Sequence, residues 1–265
     1  MSHLYLLIPR IRVEAANAVA CSWIVNAAPL NAAVLFGHTL GRDLEEDCCG
    51  VAYLHHDAQH LGELVEYGVY SPQQRRGASF INKDDYASGS HSLSLQPTAS
   101  AHLTMSLIIA FDEDAEVSIQ DLHRWLLGRR FAGGRIVEYG QPALYDDAEQ
   151  LQKRIPAGFW LVDRSELLQS EDQTPSQRLI ELCSEPSSPT RAAWLTPTVL
   201  GYLSLTSPEL KSGVREGYEH SYAEPMVGLV QYVSTSQARR SGLSIPYWDF
   251  HWPNSETYLI QQIEL

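Results

Sequence analysis

The order in which strand-like and helix-like segments follow one another in the N-terminal half most constrains the fold of this chain. Four apolar segments, rich in Leu, Ile and Val, have the length and composition of strands. They are residues 4–13, 50–55, 102–111 and 135–137. Two helical patterns separate them, so the chain must combine strands and helices in one core.

Each helical pattern has a start signal. The first is predicted from a capping Asn followed by apolar residues at helical spacing: Asn31, Ala33, Phe36, Leu40 and Leu44. The second opens on the capping-box pattern 118–121, runs through Leu122, Trp125 and Leu126, and is predicted to end at Gly133-Gly134. The resulting order is strand, helix, strand, strand, helix, strand. It predicts an α+β fold with a ferredoxin-like, RRM-like split βαβ core.

Two further segments divide the chain. Residues 57–100 are too long for an ordinary connection of roughly 4–6 residues, and we expect an inserted β-hairpin there. Residues 184–190 have the composition of a linker. The sequence therefore predicts a core over 1–183, with the insertion at about 57–100, and a strand-rich C-terminal lobe over 191–265 packed on it. The alternation of Trp248, Phe250 and Trp252 predicts a buried strand face in that lobe.

Composition favours a cytoplasmic protein. A chain of 265 residues that is 44% hydrophobic can bury a sizeable core. It has no apolar run of the ~20 residues that a membrane span requires, and its start lacks the features of a signal peptide. Its four cysteines, two of them adjacent, form no CxxC pair and no disulfide framework.

Several blocks of sequence along the chain are similar to those of a known family. The first is an apolar strand that ends in two arginines, followed by an Asn-bearing small-residue segment and a helix start at 29–33. The others are residues 100–110, 131–136, 156–162, 194–197 and Gly201-Tyr202. In this order they resemble the RAMP subunit that holds the crRNA 5′ handle in subtype I-F CRISPR surveillance complexes, the Cas-five-like or Csy-two family.

The resemblance implies a function and a set of partners. It implies a RAMP core whose inserted hairpin is a thumb, and a non-catalytic crRNA-binding backbone subunit that caps the 5′ handle. The implied partners are the crRNA, the first of the filament RAMP subunits, a large PAM-sensing subunit, and target DNA through the complex, with no membrane. It also implies that another subunit cuts the precursor RNA, so we expect no catalytic residue here. We also expect no metal and no cofactor.

Three groups of residues are candidates for contacting RNA, because single-stranded RNA is bound through phosphate contacts and stacking. They are Gly133 and Gly134 with Arg129, Arg130 and Arg135; Arg10 and Arg12 with Asn17; and Arg75, Arg76 and Lys83 in the insertion. The glycines would let backbone approach a ligand. The alternative for the first group is an ordinary helix C-terminus with cations in its last turn. The alternative for the second is an exposed strand edge protected by charge.

The sequence gives little support for metal binding or for catalysis. His55, His56 and His60 beside Asp57 resemble a metal set, but no HExxH frame or Cys pair accompanies them, so we expect a solvated loop cluster. The chain has no GxSxG elbow, no P-loop and no GxGxxG frame.

The net charge of −13 opposes RNA binding, because nucleic-acid binders usually have a basic footprint. Two alternatives stay open, and this acidity favours the first of them. One is a stand-alone homologue, for example a viral one, that acts as a decoy or inhibitor of such a complex. The other is a RAMP-like metal-independent endoribonuclease that uses His38, His91 or His102.

Overall fold

A computed structural model describes residues 3–65, 70–72, 75–76, 95–96, 98–184, 194–212 and 217–265. In these ranges the chain forms a 12-stranded antiparallel sheet, three separate strand pairs and five α-helices. A mixed α and β fold was predicted, and at this level the prediction is confirmed. None of the helices in these ranges is long and apolar enough to cross a membrane.

The first eleven strands are β1 (His3–Asn17), β2 (Val19–Cys21), β3 (Ile24–Val25), β4 (Cys48–Leu64), β5 (Tyr70–Pro72), β6 (Arg75–Arg76), β7 (Leu95–Gln96), β8 (Ser100–Asp112), β9 (Arg130–Phe131), β10 (Gly134–Glu138) and β11 (Ala143–Tyr145). The remaining strands are β12 (Phe159–Asp163), β13 (Leu195–Ser204), β14 (Glu209–Leu210), β15 (Glu219–His220), β16 (Ala223–Ser234), β17 (Tyr247–Asn254) and β18 (Thr257–Ile263). The helices are α1 (Leu30–Leu44), α2 (Ile119–Leu126), α3 (Ala148–Arg154), α4 (Pro175–Ser184) and α5 (Thr235–Ser241), with a 3-10 helix at Ser165–Leu168.

Four long or central strands lie side by side in the order β4-β8-β1-β10, each antiparallel to its neighbours. Helix α1 lies in the connection from β1 to β4, and α2 lies in the connection from β8 to β10. Strand β8 lies between β4 and β1, and its apolar residues are buried on both faces of the sheet. Leu107 and Ile109 belong to one core, and Ile108 and Ala110 belong to a second.

The two cores lie on opposite faces of this sheet. The first contains the buried residues of α1 and α2, including Phe36 and Trp125. The second contains Leu151 of α3, Trp160 of β12 and Ala238 of α5. Both faces of β8 are therefore buried over its second half, which explains the continuous apolar run in the sequence.

The C-terminal strands close a ring on β4. Strand β17 pairs with β4 at Val51 and Ala52, and β12 pairs with the same edge of β4 at Leu54 and His55. Strands β16, β13 and β18 connect β12 to β17, so six strands form a closed circuit. Inside it the fully buried Trp248 indole donates a hydrogen bond to the Leu161 carbonyl at 3.1 Å. The predicted division into a core and a C-terminal lobe stays a prediction; most of its linker lies in 185–193, outside the described residues.

Several details differ from the sequence-based expectations. Helix α1 begins at Leu30 behind Pro29, and Asn31 lies inside its first turn, where its Oδ1 accepts a hydrogen bond from the Tyr258 hydroxyl at 3.0 Å. The cap of α2 is confirmed, since Ser118 accepts a hydrogen bond from the Asp121 amide. Strand β4 is far longer than predicted, and within the expected insertion β6 and β7 form an antiparallel pair.

Candidate nucleic-acid interface

A two-residue turn joins β9 to β10 and carries the glycines predicted to contact RNA. Phe131 and Gly134 pair across it, and Ala132 and Gly133 occupy its centre with φ of 46° and 75°. Positive φ at both central residues is the geometry of a type I′ hairpin turn. The prediction that these glycines end the second helix was wrong, because α2 ends at Leu126 and a strand intervenes.

Positions 133 and 134 are occupied by glycine for different structural reasons. A Cβ at Gly134 would lie 2.6 Å from the Ala16 amide nitrogen and from the Glu14 carbonyl oxygen, so this residue is required by close approach to β1. A Cβ at Gly133 would meet nothing within 4 Å. Gly133 is therefore the glycine that faces open space at the tip of the hairpin, where a ligand has room to approach the backbone.

Asn17 lies directly beside this turn. Its backbone N–H donates to the Ala132 carbonyl at 2.8 Å. Its side chain closes on Val19, since Oδ1 accepts from the Val19 amide at 3.1 Å and Nδ2 donates to the Val19 carbonyl at 3.2 Å. The sequence placed Asn17 and the glycines in separate candidate groups, and the structure joins them at one edge of the sheet.

Exposed arginines surround the turn. Arg130 and Arg135 are paired across the hairpin, and like charges in directly opposed positions destabilise a sheet. Both are exposed, and no salt bridge to either is found in the described ranges. On its other side Arg135 is in register with Glu14 of β1. Arg12 lies 3.4 Å from Glu138 in an exposed ion pair, a type worth little in stability and therefore readily exchanged.

A β-bulge in β1 directs Arg10 outward. Its φ is 50°, and the pairing of β1 with β8 shifts register between Ile8 and Ile11. The Arg10 amide donates to the Ser106 hydroxyl oxygen at 2.9 Å, while the side chain is exposed. Ala15 has a similar φ of 52° at a second register shift. Strained, non-glycine positions of this kind often occur where a side chain is re-aimed for function.

A buried polar chain underlies the Arg10 bulge. Ser106 is fully buried, and its hydroxyl lies 2.7 Å from His56 Nε2. His56 Nδ1 lies 2.9 Å from the Ala157 carbonyl oxygen, which can accept but not donate. The ring therefore carries its proton on Nδ1 and accepts from Ser106. Burial lowers the pKa of His56, and the charge of Arg10 adds to the effect, so the neutral ring is favoured.

Arg129 has a different role from its neighbours. Its Nη2 lies 2.7 Å from Asp43 Oδ2, its Nε donates to the Trp125 carbonyl, and its guanidinium carbon lies 4.5 Å from the Trp125 ring centre. The indole N–H donates to the same Asp43 oxygen at 2.8 Å. That hydrogen bond, with the charge of Arg129, lowers the pKa of Asp43. Arg129 joins α2 to α1 and contributes to the fold.

The histidines of the expected loop cluster belong to β4, so that expectation was wrong. His55 packs its ring 5.1 Å from that of Tyr232, and burial, with His56 adding, lowers the pKa of His55 to about 4. Both nitrogens of His56 are engaged by protein atoms. Across the described ranges no group of three or more His, Cys, Asp or Glu residues has a metal-binding arrangement.

The structure describes the remaining candidates only in part. The backbones of Arg75 and Arg76 lie in β6, whereas Lys83 belongs to residues 77–94, which are outside the described ranges. Sequence reasoning considered His56 only as a possible metal ligand and overlooked its contact with Ser106, which supports the bulge. An isolated His and Ser separated by fifty positions give no local signal of pairing.

Comparison with known proteins assigns the chain to a family. No curated protein matches the chain. The family model of the CRISPR-associated protein Cas_Csy2 matches residues 6–183, a range that contains most of β1, the β9–β10 hairpin and both central helices. Because this range is well over half of the 265 residues, the chain belongs to the Cas_Csy2 family of CRISPR-associated proteins, whose membership implies a subunit of a CRISPR Cascade complex.

Proposed function

We propose that this chain is a non-catalytic RNA-binding subunit of a subtype I-F-like Cascade complex, and that it holds the crRNA 5′ handle at the edge formed by β1, β9 and β10. The observation that carries the proposal is the opposed pair Arg130 and Arg135 beside the open Gly133 turn. Nothing in the described ranges neutralises these two guanidinium groups by a salt bridge, as expected of groups kept for a phosphate.

The strand order supports the RAMP part of the proposal. Numbered by their order along the chain, β1, β4, β8 and β10 lie in the spatial order 2-3-1-4, all antiparallel, with a helix in each crossover. This is the arrangement of a ferredoxin-like split βαβ unit. The Arg12 side chain on β1 is exposed, which leaves room for a strand of RNA beside it.

The contact would combine charge and backbone. Arg10, Arg12, Arg130 and Arg135 supply charge-assisted hydrogen bonds to phosphates, and the Gly133 backbone permits close approach. Arg12 exchanges its exposed ion pair with Glu138 for a phosphate at little cost. Gathering the arginines at one edge reconciles RNA binding with a net charge of −13, because it raises the positive charge locally even though Glu14 and Glu138 lie on the same edge.

The partners follow from the same proposal. The insertion that begins along β4 and contains β6 and β7 would act as a thumb against the first filament subunit, and a large PAM-sensing subunit would dock beside the handle. The chain would cut no RNA itself. Among the described residues His56 is not free to act as a general base, since both of its ring nitrogens contact protein atoms, the Ala157 carbonyl oxygen and the Ser106 hydroxyl.

The test is charge reversal at the hairpin in the assembled complex. The chain carrying Arg130→Glu and Arg135→Glu is co-expressed with the proteins encoded beside it, and RNA retained by the complex is quantified. Each lost charge-assisted contact is worth roughly 1.5–3 kcal/mol, so handle binding should weaken by at least about a hundredfold. The slope of log affinity against log salt should fall by about 1.4 for two phosphates on a single strand.

The matched control is Arg154→Glu with Arg240→Glu. Both arginines are exposed at the ends of helices α3 and α5, away from the hairpin. This pair should leave RNA retention and the salt slope unchanged. Equal weakening by the two double variants would mean that the hairpin arginines contribute general charge and contact no phosphate, and would refute the proposed interface.

One alternative is favoured by a specific observation. The net charge of −13 fits a decoy that joins the complex without holding RNA. A decoy would assemble with the neighbouring proteins while the complex retained no RNA even with the hairpin arginines intact. The proposed subunit instead requires that the wild-type complex contain guide-length RNA.

A further inference from the structure

A row of aromatic rings crosses the face of β17 and β18 next to α1, apart from the hairpin. Ring centres are 4.6 Å apart for His38 and Phe250, 5.6 Å for Phe250 and Tyr258, and 5.3 Å for Tyr258 and Trp252. Trp252 is 58% exposed, and Leu35 on the adjoining helix face is 44% exposed. The other three rings are half-buried, and a row of partly accessible aromatic rings that ends in an exposed Trp is typical of protein interaction sites.

One end of this aromatic row opens into a cavity with carboxylates in its wall. The cavity has a volume of about 500 Å³ and is lined by Leu35, His38, Arg42, Phe250 and residues 45–48. Glu46 accepts a hydrogen bond from the Glu116 amide. The carboxylates of Glu45 and Asp47 are exposed, and no described residue pairs with either. Three carboxylates against Arg42 give this end of the row a negative potential.

We propose that the aromatic row and its cavity bind a segment of a partner protein that carries Arg or Lys next to apolar residues. Cations bind over the faces of Trp and Tyr rings, and carboxylates pair with the same cations. An RNA strand is disfavoured because the carboxylates repel phosphate. A second copy of this chain is disfavoured because a two-fold interface would bring identical carboxylates together.

The inference rests on the proposed function for one point, that the chain has protein neighbours in a complex. It does not depend on the arginines of the β9–β10 hairpin. The two can therefore fail separately, since peptide binding to the aromatic row and RNA retention by the hairpin are measured on different variants.

The probe is a fluorescein-labelled twelve-residue peptide of alternating Arg and Leu, which at about 3.3 Å per residue is more than long enough to span the row and reach the cavity. Fluorescence anisotropy follows its binding to the full chain at physiological salt. Trp252→Ala should weaken binding by about threefold to thirtyfold, the range for a cation over an aromatic ring. Glu45→Gln with Asp47→Asn should weaken it by up to about fivefold for each charge and reduce its salt dependence.

The control variant is Glu171→Gln with Asp172→Asn, two exposed carboxylates beyond the 3-10 helix. It removes the same charge from the chain and should leave peptide binding unchanged. Equal weakening by both double variants, or no effect of Trp252→Ala, would overturn the proposal. Three further arms test other occupants: a peptide with Glu in place of Arg, a single-stranded RNA of the same length, and the chain's own self-association. Loss of RNA binding or of self-association in Trp252→Ala, with peptide binding intact, would also overturn it.

Discussion

Acidification should destabilise the wild-type chain more than a His55→Phe variant, by an amount set by the burial of one ring. Burial, with the charge of His56 adding, lowers the pKa of His55 from 6.5 to about 4 in the folded chain. Between these two pKa values the unfolded chain binds more protons than the folded chain. The contribution of neutral His55 to the free energy of unfolding is therefore fully present above pH 6.5 and is lost as the pH falls towards 4. At about pH 4.5 the linkage relation gives a loss of about 2.5 kcal/mol from this ring.

The assay is urea unfolding followed by tryptophan fluorescence, at neutral pH and at about pH 4.5. Phe at position 55 keeps the ring contact with Tyr232 and removes an Nδ1 that is buried without a hydrogen bond. Wild type should lose about 2.5 kcal/mol more than His55→Phe between the two conditions. His60→Phe, at an exposed position of the same strand, should behave as wild type. Equal losses in wild type and His55→Phe would refute the burial of this ring.

Three further predictions concern the fold. Gly134→Ala should lower the free energy of unfolding by roughly 1–3 kcal/mol, because the added Cβ would clash with β1. Gly133→Ala should lower it by about 1 kcal/mol, because the only cost there is the positive φ. If chemical denaturation showed Gly133→Ala to be the more destabilising, the assigned turn would be contradicted. Arg129→Ala should cost about 1–2 kcal/mol and Arg130→Ala under about 0.5 kcal/mol, measured as shifts in the denaturation midpoint. Trp248→Ala should cost roughly 3–5 kcal/mol, and near-neutral behaviour would show that the ring of strands is not closed around it.

The parts of the fold that local chemistry determines were predictable from the sequence. The cap at Ser118 was identified because a capping box lies within four consecutive residues. Strands β1, β8 and β10 were identified from their apolar composition, and their order with α1 and α2 matched the chain. Family membership was likewise predicted from blocks of which most lie inside the matched range 6–183; those at 194–197 and Gly201-Tyr202 lie beyond it.

What could not be predicted depends on distant contacts. The contacts of Arg129 with Asp43 and Trp125 join two helices, and nothing in the run Arg129-Arg130 indicates which arginine will be engaged. The glycine pair was assigned to a helix end because Gly after a helical pattern is the usual stop signal. The alternative, a hairpin turn, required knowing that Gly134 packs against β1.

The edge of β4 that pairs with both β12 and β17 stays incomplete during synthesis until the C-terminal strands have been made. Strand β4 leaves the ribosome long before Tyr247 and Trp248, which complete its edge. Until then Val51 and Ala52 present unpaired backbone groups, and such an edge templates pairing with another chain. Two nascent chains on one messenger could join there. The late strands therefore protect this edge only once they have been synthesised, when they also enclose the indole at the centre of the ring.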